Sequence, residues 1–133
     1  MKETYTVAFV CLGNACRSQM AEGFARAYGK DVMSPCSAGL APAVAVPFET
    51  RRAMMEKNID ISNQFPKPVN LLSDQPVDLV VNMSGLPLRG FSAIRDWEVR
   101  DPYGDSEETY RKVRDQIETL VMKLIMELRR KSR

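Results

Sequence analysis

The stretch Val7-Ala8-Phe9-Val10-Cys11-Leu12-Gly13-Asn14-Ala15-Cys16-Arg17-Ser18 passes from an apolar run through a tight polar turn straight into helical spacing. Tyr5 to Val10 is rich in β-formers and reads as a buried strand. A chain that leaves a strand and begins a helix at once turns several backbone N–H groups toward one point. Together with the positive helix end they form an anion cradle. Gly13 permits close backbone approach there, and Asn14 tolerates a left-handed conformation better than most residues. Arg17 forks two donors onto a phosphate-like oxyanion, and Cys11 lies on the floor of a positive bowl that favours its thiolate. Ser18 is placed either to hydrogen-bond the sulfur or to cap the helix. A lone Cys and Arg at this separation are more often a buried thiol and a surface ion pair. The preceding strand, the internal Gly-Asn turn and the following Ser supply the context that makes this a site. Leu12, Gly13, Asn14, Ala15, Cys16, Arg17 and Ser18 are therefore the candidate oxyanion-binding residues.

A chain of 133 residues suits one domain, 1–133, with a core of useful size. Its hydrophobic fraction of 44% and charged fraction of 27% are those of a soluble globule. A formal net charge of +2 is too small to argue for nucleic acid or an anionic membrane. The basic tail Arg129-Arg130-Lys131-Ser132-Arg133 fits a solvated helix end complementing the dipole. Val7 to Leu12 is too short for a signal or a membrane span, so a cytoplasmic location is expected. Three cysteines and no secretion signal argue against a disulfide framework. The absence of histidine excludes Cys-His catalysis and most zinc sites. No metal or cofactor is expected, and acid-base work falls to carboxylates, thiols, Lys or Tyr.

Ser18 to Gly29 follows as a helix, with Met20, Phe24 and Ala27 on one face. Asp31 to Ser37 is a strand that Pro35 assigns to a sheet edge. Cys36 near its end suits a small buried hydrophobe better than a redox group. Leu40 to Val46 has no periodicity and reads as a loop, and Pro47 to Lys57 resumes helical spacing until Asn58. Gln64 to Pro68 turns into a short helix over Val69 to Leu72. Val77 to Met83 is a strand covered on both faces, Ser84 to Phe91 a loop, Ala93 to Val99 a fourth strand, and Asp101-Pro102-Tyr103-Gly104 a turn. Asp105 with Glu108 makes a capping box for a long final helix. Its buried face runs through Val113, Ile117, Leu120, Val121, Leu124, Ile125 and Leu128. Alternating strands and helices imply a three-layer α/β domain, a parallel sheet with helices on both faces. Its ligands belong at the carboxyl ends of the strands.

Val10 to Ser18 resembles the phosphate-binding loop of the low-molecular-weight protein tyrosine phosphatases. Gln19-Met20-Ala21-Glu22-Gly23 is closer to the arsenate reductases built on the same fold. The likeness continues through Ser37-Ala38-Gly39, Ile59-Asp60-Ile61-Ser62, Asp78-Leu79-Val80-Val81 and Asp101-Pro102-Tyr103. It implies four parallel strands in the order 2-1-3-4 and a metal-free phosphatase acting on phosphotyrosine or aryl phosphates. Cys11 is then the nucleophile that forms a phosphocysteine, Arg17 the oxyanion clamp, Asp101 the proton donor and Tyr103 an aromatic wall. The partner is a phosphorylated protein or a small aryl phosphate, with phosphate, arsenate and vanadate as bound oxyanions. Family phosphatases carry an aromatic residue in the loop before the second helix. Only Phe48 lies near that place, and its position equally suits the core. The resemblance also implies a reversible Cys11–Cys16 disulfide under oxidant, with plain loop packing as the other account of Cys16.

Two further readings stand beside the phosphatase. An arsenate reductase would use the same bowl, but the thioredoxin-coupled members carry two more cysteines after the third strand. Val80 to Ser92 here has none, so electrons would come from an external thiol, with Cys16 or Cys36 as possible intermediaries. A phosphoryl carrier is the third reading. Arg17 and Asp101 argue against it, because a carrier gains nothing from groups that promote hydrolysis.

Overall fold

A computed structural model describes residues 4–132, and Arg133 of the basic tail lies outside them. Strand β1, Tyr5–Cys11, is the centre of the molecule: Val7, Ala8, Phe9 and Val10 are wholly buried. It pairs in parallel with β2 (Met33–Gly39) on one side and β3 (Leu79–Asn82) on the other. Beyond β3 lies β4 (Ile94–Asp96), giving the order β2-β1-β3-β4. Pro35 sits opposite Val7 in β2, an edge strand whose outer N–H row a proline does not disrupt.

Alternation along β1 sends its residues to two cores. Val7, Phe9 and Cys11 face the larger one with α1 (Arg17–Tyr28), α2 (Phe48–Met55) and α3 (Glu107–Lys131). Met20, Phe24, Met54, Ile117, Leu124 and Ile125 are among its fully buried side chains. Ala8 and Val10 face the smaller core, closed by Leu72 of a short 3₁₀ helix, Val69–Asp74, with Leu88 and Phe91 from the loop after β3. The strand order reverses direction after β2. Right-handed crossovers then require the return to β3 to cross the face opposite α1, and the 3₁₀ helix makes that crossing. Helical structure thus covers both faces, unequally: three α-helices on one, one short 3₁₀ helix on the other.

Two expectations need correction, and an alternative left open for Phe48 is decided. The fourth strand is Ile94–Asp96 rather than Ala93 to Val99. Trp97 N–H still donates to Asn82 O at 2.9 Å, but β3 ends at Asn82 and offers Glu98 and Val99 no strand to pair with. The long helix is capped by Ser106, whose hydroxyl accepts from Thr109 N–H. Asp105 instead pairs with Arg100 at 3.1 Å. Phe48 is no core residue; it is 61% exposed at the start of α2. No helix among the described residues is long and apolar enough to cross a membrane.

Candidate active site

Cys11 ends β1 and Arg17 begins α1, so the intervening loop lies at the carboxyl edge of the sheet, beside the switch in strand order. Neighbouring segments take up the loop's carbonyls. Leu40 N–H donates to Cys11 O (3.2 Å), Ala41 N–H to Leu12 O (2.8 Å), Ala43 N–H to Gly13 O (2.9 Å) and Gln19 Nε2 to Asn14 O (2.9 Å). With these carbonyls engaged, the N–H groups of residues 12–16 make no hydrogen bond with the described residues. Free N–H groups on successive loop residues are what an anion-binding nest requires.

Asn14 adopts φ +49°, as its side-chain chemistry allows. Its Oδ1 accepts from Lys67 N–H at 2.9 Å, which fixes the amide orientation and makes Nδ2 the donor to Ser18 Oγ at 2.7 Å. Ser18 therefore already accepts one hydrogen bond, and its own O–H is free to be given to Cys11 Sγ, 2.9 Å away. Of the two roles open to Ser18, the structure shows the sulfur contact. Cys16 is the N-cap residue of α1, with no side-chain cap bond.

The glycine that close approach demands is not Gly13. A Cβ on Gly13 would meet nothing nearer than 3.8 Å. On Gly39, at the end of β2, a Cβ would lie 2.8 Å from Asn14 N and 2.9 Å from Gly13 C. The second strand thus presses backbone to backbone against the loop. Around it, Gln64 Nε2 donates to Gln19 Oε1 at 2.7 Å, Gln19 Nε2 donates to Phe65 O at 3.1 Å, and Gly39 N–H donates to Lys67 O at 2.8 Å. Gln19, Gly39, Gln64 and Lys67 support the loop; Gln19 and Gly39 lie in stretches that carry the resemblance, but no role there was read for any of the four. Two glutamines beside buried apolar positions were the available signal.

The Arg17 guanidinium is held along one edge by Nη1, which donates to Met83 O and to Val99 O (3.2 Å). Its Nη2 lies 3.5 Å from Asp101 Oδ2, and its buried Nε has no partner. The Nε–Nη2 edge is the one available for a bidentate oxyanion contact. Asp101 is positioned by the loop after β4, where its Oδ1 accepts from Tyr103 N–H at 3.1 Å. Cys11, Leu12, Gly13, Ala15, Cys16, Arg17, Asp101 and Tyr103 share a cavity of ≈ 220 Å³ with Ala41 and Ala43. Tyr103 stands at its mouth, 67% exposed. Phe48 does not line this cavity; the alanines occupy the wall facing the loop.

The other two thiols are set apart. Cys16 is buried, with Sγ 3.6 Å from Tyr110 Oη. Burial pushes this thiol up; the Thr50 and Tyr110 hydroxyls act against that, and the Asp101 and Cys11 charges add to it. Cys36 packs against the smaller core, on the sheet face opposite Cys11, and burial with the Glu22 charge pushes it up to about 11. Among the described residues no group of three or more Cys, Asp or Glu side chains gathers as metal ligands would.

A single sulfur at the end of β1, an open arginine edge at the start of α1 and a parallel sheet behind them make a cysteine–arginine loop on an α/β scaffold. The chain belongs to the low molecular weight phosphotyrosine protein phosphatase family, whose model matches residues 6–133. It is 39% identical over 129 residues to a glutaredoxin arsenate reductase of Synechocystis sp., covering 92% of this chain and 97% of that protein. A solved arsenate reductase in its phosphate-binding state superposes with a TM-score of 0.85 at 35% identity, over 96% of this chain and 99% of the other. A low molecular weight protein tyrosine phosphatase from T. tengcongensis superposes at 0.80 with 31% identity, over 94% and 100%.

Proposed function

We propose that this protein is an arsenate reductase that draws its electrons from an external thiol. The observation that carries the reading is the bowl itself: a buried sulfur, loop N–H groups that make no hydrogen bond with the described residues and the open Arg17 edge, in a small cavity to which Ala41 and Ala43 also contribute. That shape and charge suit a small tetrahedral oxyanion. The likeness to arsenate reductases over nearly the whole chain supports the same choice. Cys11 attacks arsenic, forming an S–As bond while an As–OH bond breaks, and the hydroxyl takes up the thiol's proton and leaves as water. The N–H groups and Arg17 hold the remaining oxygens as charge shifts. A second thiol then attacks the Cys11 sulfur. The S–As bond breaks, its electron pair stays on arsenic, and As(V) leaves as As(III) while two sulfurs join. Residues 80–92 hold no cysteine, so a relay through that loop has no residue to use. The relative named for glutaredoxin fits electrons delivered from outside.

Phosphoester hydrolysis is the second reading, and Asp101 favours it. This carboxylate stands at the rim against Arg17 Nη2, where an acid could protonate a leaving ester oxygen; such help is worth ~10²–10⁴-fold. Tyr103 at the mouth would then flank an aryl group. The test is a paired assay of purified protein. Arsenite formation is measured with glutathione–glutaredoxin and with thioredoxin, beside aryl-phosphate hydrolysis. Arsenite is expected with glutathione–glutaredoxin and is expected to vanish in Cys11→Ser, while phosphate still binds. Fast ester hydrolysis with no arsenite from any thiol would replace this reading with the phosphatase.

A further inference from the structure

The anion-holding groups of the cavity come from one place, the turn between β1 and α1 that carries Cys11, the free loop N–H groups and Arg17. Leu12, Ala41, Ala43 and Tyr103 also line it and bring hydrocarbon and one phenol ring. Ala41 and Ala43 donate their backbone N–H groups to Leu12 O (2.8 Å) and Gly13 O (2.9 Å). Two residues with single-methyl side chains are thereby tied directly to the loop. At ≈ 220 Å³ the cavity is small beside a usual ligand pocket of about 300–1,000 Å³. It is still larger than a bare tetrahedral oxyanion, whose five heavy atoms take the room of two or three waters, roughly 60–90 Å³. Arsenate alone uses neither the excess room nor the apolar lining.

Resting on the reductase reading above, we propose that this site also reduces arsonates, in which a carbon group R replaces one of the four oxygens on arsenic. A methyl or phenyl R lodges against Leu12, Ala41, Ala43 and Tyr103. An arsonate has one ionisable hydroxyl fewer than arsenate. It therefore sets less negative charge beside the Asp101 carboxylate, which stands 3.5 Å from Arg17 Nη2. Cys11 attacks arsenic, an S–As bond forms, and one hydroxyl takes up the thiol's proton and leaves as water. The adduct keeps its As–C bond and two oxygens, the number that the Nε–Nη2 edge of Arg17 holds in a bidentate contact. An external thiol such as glutathione then attacks the Cys11 sulfur. An S–S bond forms as the S–As bond breaks, and the electron pair of the broken bond stays on arsenic. The thiol's proton passes to an arsenic-bound oxygen, and As(V) leaves as the As(III) acid R–As(OH)₂. A second external thiol reduces the mixed disulfide on Cys11, and the two donors end as one disulfide. The substrate contains no ester bond, so hydrolysis has nothing to cleave.

The experiment gives the purified protein glutathione, glutaredoxin and one of three substrates: arsenate, methylarsonate or phenylarsonate. The As(III) products are separated and quantified, with Cys11→Ser as the background. Wild type is expected to reduce both arsonates above that background, with KM about tenfold lower for phenylarsonate, whose ring buries more apolar surface than a methyl group. Phenylphosphonate, which cannot be reduced, is expected to inhibit arsenate reduction competitively and more strongly than phosphate. Ala43→Leu, which takes up room in the cavity, is expected to lower kcat/KM for phenylarsonate about tenfold and for arsenate far less. Tyr103→Ala is expected to raise the phenylarsonate KM about fivefold and narrow the gap to methylarsonate. Arsenite from arsenate, with neither arsonate reduced above background, would overturn the proposal and leave the reductase reading standing. Equal losses on arsenate and phenylarsonate in Ala43→Leu would overturn the placement of the organic group. As(III) from none of the three substrates with any thiol would overturn both readings.

Discussion

Gly39 bears on the site through what it lacks. A methyl group there would collide with Asn14 N, Asn14 Cβ and Gly13 C, two of them backbone atoms. None is the far end of a flexible side chain, so the loop itself must move. Gly39→Ala is therefore expected to weaken phosphate binding at least tenfold and to cost about 1–3 kcal/mol of stability, the usual range for overpacking. Gly13→Ala, with no contact under 3.8 Å, is expected to bind phosphate much more tightly than Gly39→Ala. Calorimetric titration with phosphate and urea melts of both variants check this, and equal losses would refute it. The pair also shows what a sequence discloses about a site. Cys11, Asn14, Arg17 and Ser18 were legible because they are contiguous, and their spacing carries the chemistry. Gly39, Lys67 and the carbonyls of Met83 and Val99 reach the loop only through folding, and no local spacing ties them to it.

Helix α3 shows a similar division among the elements. Its stripe follows from periodicity: of the seven residues expected on it, Val113, Ile117, Val121, Leu124, Ile125 and Leu128 are buried, and Leu120 is partly buried against the core. Its first residue did not follow. Asp-Ser-Glu-Glu-Thr offers two adjacent cap residues, and the Asp105/Glu108 pattern is the more familiar one. The preceding turn decides between them. Asp105 N–H donates to Pro102 O at 2.8 Å and its carboxylate pairs with Arg100, which commits Asp105 to the turn and leaves Ser106 to cap. Ser106→Ala is expected to destabilise by about 1 kcal/mol. Asp105→Ala, losing an ion pair with a well-exposed arginine, is expected to cost well under that. Urea denaturation of the two variants tests the assignment, and the reverse ranking would return the cap to Asp105.

Across the whole molecule, α3 is fastened to the other layers by ion pairs between segments far apart in sequence. Arg129 reaches Asp31 after α1, Arg95 of β4 makes a two-bond contact with Glu127, and Arg111 and Arg114 close on Glu56 just after α2. Such pairs leave no periodic trace in a sequence, which is why charge appeared there only as a net balance. They are expected to set the acid limit of the fold. Arg111, then Arg114, hold the Glu56 carboxyl down to about 2, and Arg95 does the same for Glu127, also to about 2. Both lie below the usual glutamate value of about 4.3. The unfolded chain therefore takes up these protons first as pH falls, and stability is lost across the interval between the two values. Melting temperature is expected to be nearly flat down to about pH 5, then to fall steadily toward pH 2. Glu127→Gln cannot bind that proton, so it is expected to melt lower than wild type at pH 7 and to show a shallower decline below pH 5. The two curves then converge near pH 2, where the wild-type carboxylate is itself largely protonated. Because both pairs are partly exposed, added salt is expected to narrow the gap at pH 7. Thermal melts across pH at two ionic strengths measure all of this. A Glu127→Gln variant that keeps the wild-type slope below pH 5 would show that the Arg95 contact does not govern the acid limit.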